Sequence, residues 1–93
     1  MPLSPFIDYL SLERNYSKHT ITAYKNDLTT FLDFVALTFS EEKPEEVNYS
    51  MVRSWIVSLV EQGVSNRSVN RKVSSLKTYY KFLLKTEQVD VSP

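Results

Sequence analysis

Residues 63–86 read GVSNRSVNRKVSSLKTYYKFLLKT, and this stretch carries six positive charges and no carboxylate. Wound as an α-helix of about 3.6 residues per turn, it gathers its large apolar side chains on one side. They are Val69, Val73, Leu76, Tyr80 and Leu83. The opposite half collects basic, amide and hydroxyl groups, namely Arg67, Asn70, Arg71, Ser74, Lys77, Thr78, Lys81 and Lys85. The stretch therefore predicts a long amphipathic helix with a core face and an anion-binding face.

This charge pattern has two interpretations. A solvated helix face usually mixes signs, because Glu–Lys pairs one turn apart stabilise a helix and like charges destabilise it. Six cations without an anion lack that support, which favours nucleic acid or another polyanion as a ligand. An ordinary solvated face remains the alternative on this feature alone.

The composition indicates one soluble globular domain spanning residues 1–93. Hydrophobic residues make up 42% and aromatic residues 13% of the 93-residue chain. That length supports one modest core, and no apolar run approaches the about 20 residues of a membrane span. With no cysteine and one histidine, the chain is expected to form no disulfide and to bind no metal or other cofactor. The first residues lack the basic and apolar blocks of a signal peptide, so no export is indicated and a cytoplasmic protein is expected. It would be nucleoid-associated when bound, if the polyanion that it binds is DNA.

The formal net charge of zero hides a charge separation along the chain. Residues 38–62 carry a net −3, whereas residues 63–86 carry +6. An acidic side and a basic side would orient the domain over a polyanion. We therefore expect Glu41, Glu42, Glu45 and Glu46 to point outward, away from the ligand.

One glycine and the absence of alternating apolar residues leave helices as the regular structure of this chain. Four are predicted: from an N-cap at Ser4 to about Asn15, from a cap at Ser17 through Val35, from a cap at Asn48 to Gly63, and from a cap at Ser65 to a tail that starts at Thr86. Residues 38–44 read as an exposed loop. The fold class is all-α, a small bundle of four or five helices.

The predicted core is formed by the apolar face of each helix. On the third helix this face contains Val52, Trp55, Ile56, Leu59 and Val60. Trp55 is interpreted as a packing residue and not as a ligand-binding one. Tyr79 is placed beside the core face of the fourth helix.

A second polar surface is predicted at the start of the second helix. It contains Lys18, His19, Thr22, Asn26 and Thr29, with Lys25 at its border. Backbone amides after Ser17 can bind a phosphate oxygen, and Ser65 begins the fourth helix in the same way. Both N-termini would then face one ligand and straddle a groove. His19 alone could equally be a surface imidazole, and Arg67, Asn70 and Arg71 suit either base edges or phosphates.

Catalysis has little support in the sequence. The carboxylates crowd the acidic connection without a histidine near them, and no base–nucleophile pair is apparent. Packing explains the six tyrosines.

Two runs of the chain resemble the N-terminal core-binding, or SAM-like, domain of tyrosine recombinases and phage integrases. Residues 17–28, SKHTITAYKNDL, resemble the family's S-x-x-T-x-x-x-Y-x-x-D-L run. Residues 65–83, SNRSVNRKVSSLKTYYKFL, are similar to its (S/T)-hydrophobic-N-R-x-hydrophobic-S-x-L-(R/K)-x-(F/Y)-(F/Y)-x-(F/Y)-L run. Ser92-Pro93 falls where the family usually has Asn-Pro before a linker. Asn15, where glycine is common, and the acidic connection depart from the pattern.

The resemblance implies one half of a C-shaped clamp on double-stranded DNA, with the second and fourth helices against the major groove. A C-terminal catalytic domain of the parent protein would close the clamp and form the covalent phosphotyrosine link. The chain by itself would bind DNA and would not be an enzyme. Matching positions predict the DNA-binding residues Lys18, His19, Thr20, Thr22, Lys25, Asn66, Arg67, Asn70, Arg71, Ser74 and Lys77, and Lys81 on the same polar face completes the set.

The partners expected are double-stranded DNA, the parent's catalytic domain and, through the first helix near Tyr9 and Leu12, a neighbouring protomer on DNA. No membrane and no small-molecule substrate is expected. An alternative from another class is a helical protein-interaction bundle whose basic face meets an acidic partner.

Overall fold

The structure, a computed structural model, describes residues 3–41 and 43–86, without the side chain of Glu45. It contains four α-helices: α1 (Ser4–Leu12), α2 (Lys18–Phe39), α3 (Tyr49–Glu61) and α4 (Asn66–Lys85). A short 3-10 turn, Pro44–Glu46, lies between α2 and α3. The prediction of an all-α bundle is confirmed. Predictions for the tail beyond Thr86, including Ser92-Pro93, and for Glu42 and the Glu45 side chain lie outside the described residues.

Three of the four predicted N-caps are confirmed. The side-chain oxygens of Ser17, Asn48 and Ser65 accept hydrogen bonds from the backbone N–H three residues later, at 3.1–3.3 Å. Each such cap typically stabilises its helix by about 1 kcal/mol.

The predicted cap at Ser4 is wrong. Leu3 holds the N-cap position of α1, Ser4 is the first helical residue, and no side chain caps this helix. Leu3 is 4% exposed and belongs to the core. Burial of Leu3 therefore fixes where α1 starts, in place of a hydroxyl cap.

The predicted left-handed residues at two helix ends are confirmed, with φ of 52° at Asn15 and 83° at Gly63. α2 extends further than predicted, through Phe39, and ends at Ser40 with φ of 57°. The Phe39 ring contacts the Phe34 ring edge-on, with centroids 6.2 Å apart. This contact favours helical structure at residues 38–39, where the sequence predicted a loop.

The core lies where all four helices meet. Trp55 of α3 is 2% exposed and its ring contacts Phe31 of α2 edge-on at 5.0 Å, so its predicted packing role is confirmed. Phe6 of α1 contacts Tyr79 and Phe82 of α4 at 5.3 and 5.4 Å.

Two side chains were assigned to the wrong environment. Val60 is 55% exposed, although the sequence placed it in the core. Tyr79 is 1% exposed, although the sequence placed it beside the core. The buried face of α4 is wider than its apolar stripe because α1, through Phe6, covers the side at which Tyr79 and Phe82 project.

The connection between α2 and α3 is fastened to α4. The Tyr80 hydroxyl donates a hydrogen bond of 2.6 Å to the backbone carbonyl of Pro44, and Val47 of the same connection is buried in the core. Within this connection Glu46 is exposed as predicted, whereas Glu41 is half-buried and accepts a hydrogen bond from the Lys43 backbone N–H.

Candidate nucleic-acid interface

A cleft of about 380 Å³ lies between α2 and α4 and contains residues from both predicted polar surfaces. Its lining comprises His19, Thr20, Ala23, Tyr24 and Asp27 from α2, and Arg71, Ser74 and Ser75 from α4. His19, Thr20, Arg71 and Ser74 belong to the predicted DNA-binding set. The start of α2 and the middle of α4 therefore open to the same side of the molecule.

The remaining predicted residues lie outside this cleft and are exposed: Lys18, Thr22, Lys25, Asn66, Arg67, Asn70, Lys77 and Lys81. Lys25 borders a depression between α1 and α2, beside Asp8 and Thr29. Lys77 borders an apolar groove between α3 and α4, beside Tyr49 and Val73. The structure thus places these two lysines in the depressions that flank the cleft.

Only one of the two helix N-termini lines this cleft. Its α2 lining begins at His19, two residues after the cap Ser17, whereas its α4 lining begins at Arg71 and includes Ser74. The start of α2 and the middle of α4 therefore share the cleft, and the start of α4 lies outside it. Asn66 at the start of α4 is about 12 Å further along the helix axis at 1.5 Å per residue. Any shared ligand must span that distance.

A buried carboxylate lies at the bottom of the cleft. Asp27 is 2% exposed, and its Oδ1 accepts hydrogen bonds from Arg71 Nη2 at 3.0 Å and Lys72 Nζ at 3.1 Å. Its Oδ2 accepts a hydrogen bond from Ser75 Oγ at 2.9 Å. One side chain of α2 is thus bound to three side chains of α4, which fixes the two helices against each other.

Asp27 changes the electrostatics predicted for α4. The segment from residue 63 to 86 has no carboxylate of its own, but α2 supplies one, and Lys72 is only 18% exposed because it turns toward it. Within the described part of the chain, Arg67, Lys77, Lys81 and Lys85 form no ion pair with a carboxylate. The exposed charge on α4 is therefore smaller than six, and among the residues that the structure describes Arg71 is the only exposed α4 cation paired with a carboxylate.

The sequence reasoning missed Asp27, Lys72 and Ser75 as parts of the site. A signal was present, because Asp27 lies one turn after Tyr24 and one turn before Phe31, at the edge of the core-facing side of α2. A carboxylate at such a position requires a cationic or hydrogen-bonding partner from another element.

A further cation lies close to the start of α2. Arg14 Nη2 donates a hydrogen bond of 3.0 Å to the Tyr16 hydroxyl, and the Tyr16 ring stacks on Tyr24 at 5.8 Å. Hydrogen bonding involving Tyr9, and then the proximity of Tyr16, raises the pKa of Arg14. The sequence reasoning did not include this permanently charged side chain, which adds to the positive potential beside the cleft.

Other kinds of site find little support in the described ranges. No three His, Cys, Asp or Glu side chains of residues 3–41 and 43–86 are grouped so that they could hold a metal ion. Among the same residues, none of the helices has both the length and the apolar character needed to cross a membrane.

Comparisons with known proteins identify what the chain resembles. The family described as "Phage integrase, N-terminal SAM-like domain" matches residues 3–87. The tyrosine recombinase XerC of Anoxybacillus flavithermus is 41% identical over 91 residues, covering 98% of this chain and 30% of the relative. XerC of Listeria innocua is 41% identical over 88 residues, 95% of this chain and 29% of the relative.

A relative with a different name matches over the same region. The tyrosine recombinase XerD of Rickettsia bellii is 36% identical over 93 residues, covering 98% of this chain and 29% of the relative. The chain thus spans under a third of the length of these curated relatives. No solved structure matches it significantly.

Proposed function

Since the chain belongs to the phage integrase N-terminal SAM-like domain family, we propose that it is the DNA-binding module of a site-specific tyrosine recombinase. In this proposal α2 and α4 hold double-stranded core-site DNA on the side of the molecule where their cleft opens. The observation that supports it best is the common cleft lined by His19 and Thr20 of one helix and by Arg71 and Ser74 of the other.

The arrangement of charges suits a duplex better than a compact anion. Asn66 and Arg67 lie about 10–12 Å along α4 from Ser74, which lines the cleft with the start of α2, and a DNA major groove is about 12 Å wide. Lys25 and Lys77, on either side of the cleft, extend the basic surface outward. Phosphate contacts from these exposed cations would supply most of the affinity and would make it depend on salt.

Recombination itself would require the rest of the parent protein. The chain matches less than a third of each relative. In the proposal a C-terminal catalytic domain supplies the reacting groups and closes the clamp around the DNA, whereas the 93-residue chain binds DNA without cutting it.

The interface is tested by reversing charges at Arg67 and Lys77. Both are exposed and have no ion pair within the described residues, so Arg67→Glu with Lys77→Glu should leave the fold intact. We expect weaker binding to duplex DNA and a flatter plot of log affinity against log salt, by about 0.9 per lost phosphate contact. Fluorescence titrations at salt concentrations from about 50 to about 200 mM give both the affinity and its salt dependence.

The matched control reverses two charges elsewhere. Lys43 and Arg53 are also exposed and lie outside the predicted set, so Lys43→Glu with Arg53→Glu changes the net charge equally. This control should bind DNA much more like the unaltered chain. Equal losses in both double variants would leave only a general charge effect and would contradict the interface. Absence of duplex binding by the unaltered chain would favour the acidic protein partner instead.

We also propose that α1 contacts a neighbouring protomer on DNA. Leu12 at the end of α1 is 76% exposed, although it is a large apolar side chain. Crosslinking of a cysteine placed at Leu12 should depend on added duplex. Crosslinks of equal yield without DNA, or none at saturating DNA, would contradict this contact.

A further inference from the structure

The ion-pair cluster around Asp27 contains one more cation than the buried carboxylate requires. Lys72 Nζ is 3.1 Å from Asp27 Oδ1 and its side chain is 18% exposed, so it can balance the buried charge on its own. Arg71 is 3.0 Å from the same oxygen, but its side chain is 58% exposed. The cluster therefore keeps one net positive charge, and that charge is on the side chain that lines the cleft.

Arg71 is held by one end. Only Nη2 of its guanidinium contacts Asp27, and a guanidinium carries five N–H donors in a planar fork. Its other N–H groups have no protein acceptor among the described residues, and they belong to a side chain that borders the cleft with Ser74 and His19. The buried carboxylate thus restrains the side chain while most of its donors stay available.

We propose that Asp27 is a positioning residue for DNA binding, which holds the Arg71 guanidinium in the cleft between α2 and α4 so that its free N–H groups meet a DNA phosphate. The inference rests on the proposed function, and it deepens it by assigning a role to a residue that bears the same charge as DNA. Asp27 is itself too deeply buried to contact the duplex.

The physical reason is the entropy of a long side chain. An unrestrained arginine loses rotamer freedom when it binds a phosphate, and that loss weakens binding. Asp27 and Ser75 are fixed by the packing of α2 against α4, so Arg71 is ordered before DNA arrives. Charge-assisted hydrogen bonds of the Arg–carboxylate and Arg–phosphate kind favour such fixed geometry.

Positioning and simple electrostatics predict opposite effects when Asp27 is neutralised. Asp27→Asn removes a negative charge from a surface that would face phosphates, so charge alone predicts tighter binding. Loss of positioning predicts weaker binding, by about threefold to tenfold for one long side chain that must be ordered. Whether Asp27→Asn weakens or tightens DNA binding therefore distinguishes positioning from simple electrostatics.

The test is a double-mutant cycle on the 93-residue chain with duplex DNA. Asp27→Asn is combined with Arg71→Ala, and a second version, Asp27→Asn with Lys72→Met, keeps the net charge unchanged and leaves no unpaired buried ammonium. We expect both Asp27 variants to weaken binding when Arg71 is present, and neither of them to weaken it when Arg71 is alanine. Val35→Ala, a core truncation two turns further along α2, controls for lower stability and should keep full affinity.

The outcomes separate the inference from the function on which it rests. Tighter or unchanged binding by Asp27→Asn, or an equal loss in the Arg71→Ala background, would overturn the positioning role. Normal binding by Arg71→Ala would overturn it as well. If Arg67→Glu with Lys77→Glu still weakened binding in that case, the proposed DNA interface would stand and only the positioning role of Asp27 would be lost. Urea unfolding of each variant shows that the folded state is being compared.

Discussion

At the scale of single residues, the two cations bound to Asp27 have different surroundings and should have different effects. Lys72 is 18% exposed and Arg71 is 58% exposed, yet both contact the same carboxylate oxygen. A hydrogen bond to a charged group stabilises a protein more when water is excluded from it. Lys72 should therefore contribute mainly to stability, and Arg71 mainly to binding.

Lys72→Ala should lower the free energy of unfolding by about 1–3 kcal/mol, because a buried carboxylate loses a charged partner. Arg71→Ala should lower it by less than about 1 kcal/mol, because the Arg71 side chain is largely exposed and Lys72 remains bound to the buried carboxylate. Urea denaturation of both variants measures the difference, with the exposed Lys81→Ala as a control near zero. A larger loss of stability in Arg71→Ala than in Lys72→Ala would mean that Arg71, and not Lys72, balances the buried charge.

At the scale of the helix, local chemistry predicts boundaries well where the backbone itself needs a partner. The hydroxyl and amide caps at Ser17, Asn48 and Ser65 satisfy N–H groups within their own first turn, so sequence alone located these starts. The start of α1 depends instead on burial of Leu3 against other helices. A position decided by tertiary packing has no local signal, which explains the error at Ser4.

The same distinction separates what the sequence revealed about the candidate site from what it did not. The polar faces of α2 and α4 follow from helical periodicity, and the structure joins parts of both at one cleft. The pairing of Asp27 with Arg71 and Lys72 links residues more than forty positions apart. Periodicity identifies the face of each helix but does not determine which residues on two helices come into contact.

A pair of serine substitutions tests the assignment of the helix starts. Ser65→Ala removes the cap of α4 and should lower the free energy of unfolding by about 1 kcal/mol. Ser4→Ala replaces an exposed residue inside α1 with the strongest helix former, so stability should stay the same or rise by a few tenths of a kcal/mol, about the difference in helix propensity. Urea unfolding midpoints at constant m-value give both numbers. A loss at Ser4 equal to that at Ser65 would restore Ser4 as a cap.

At the scale of the whole molecule, the proposed interface occupies one side of the bundle. α3 packs against both α2 and α4, and its exposed residues, such as Arg53 and Val57, line a separate surface depression. The longest extent of the molecule is 36 Å, about one helical turn of DNA at 34–36 Å. A domain of this size can contact one face of a duplex over about one turn, which fits a module that needs a second domain to enclose DNA.

Because the proposed interface lies on one side of the bundle, duplex DNA should affect the NMR signals of that side and leave those of the other side nearly unchanged. In a titration of the isotope-labelled chain with a duplex of about 14 base pairs, somewhat more than one turn, backbone amide signals of residues 18–25 and 66–81 should shift most. Signals on the exposed side of α3, around Arg53 and Val57, should stay nearly unchanged, because that surface does not border the cleft. An acidic peptide of equal charge is the control for unspecific attraction. Largest shifts in α3, or equal shifts with the peptide, would place the ligand elsewhere and would contradict the interface between α2 and α4.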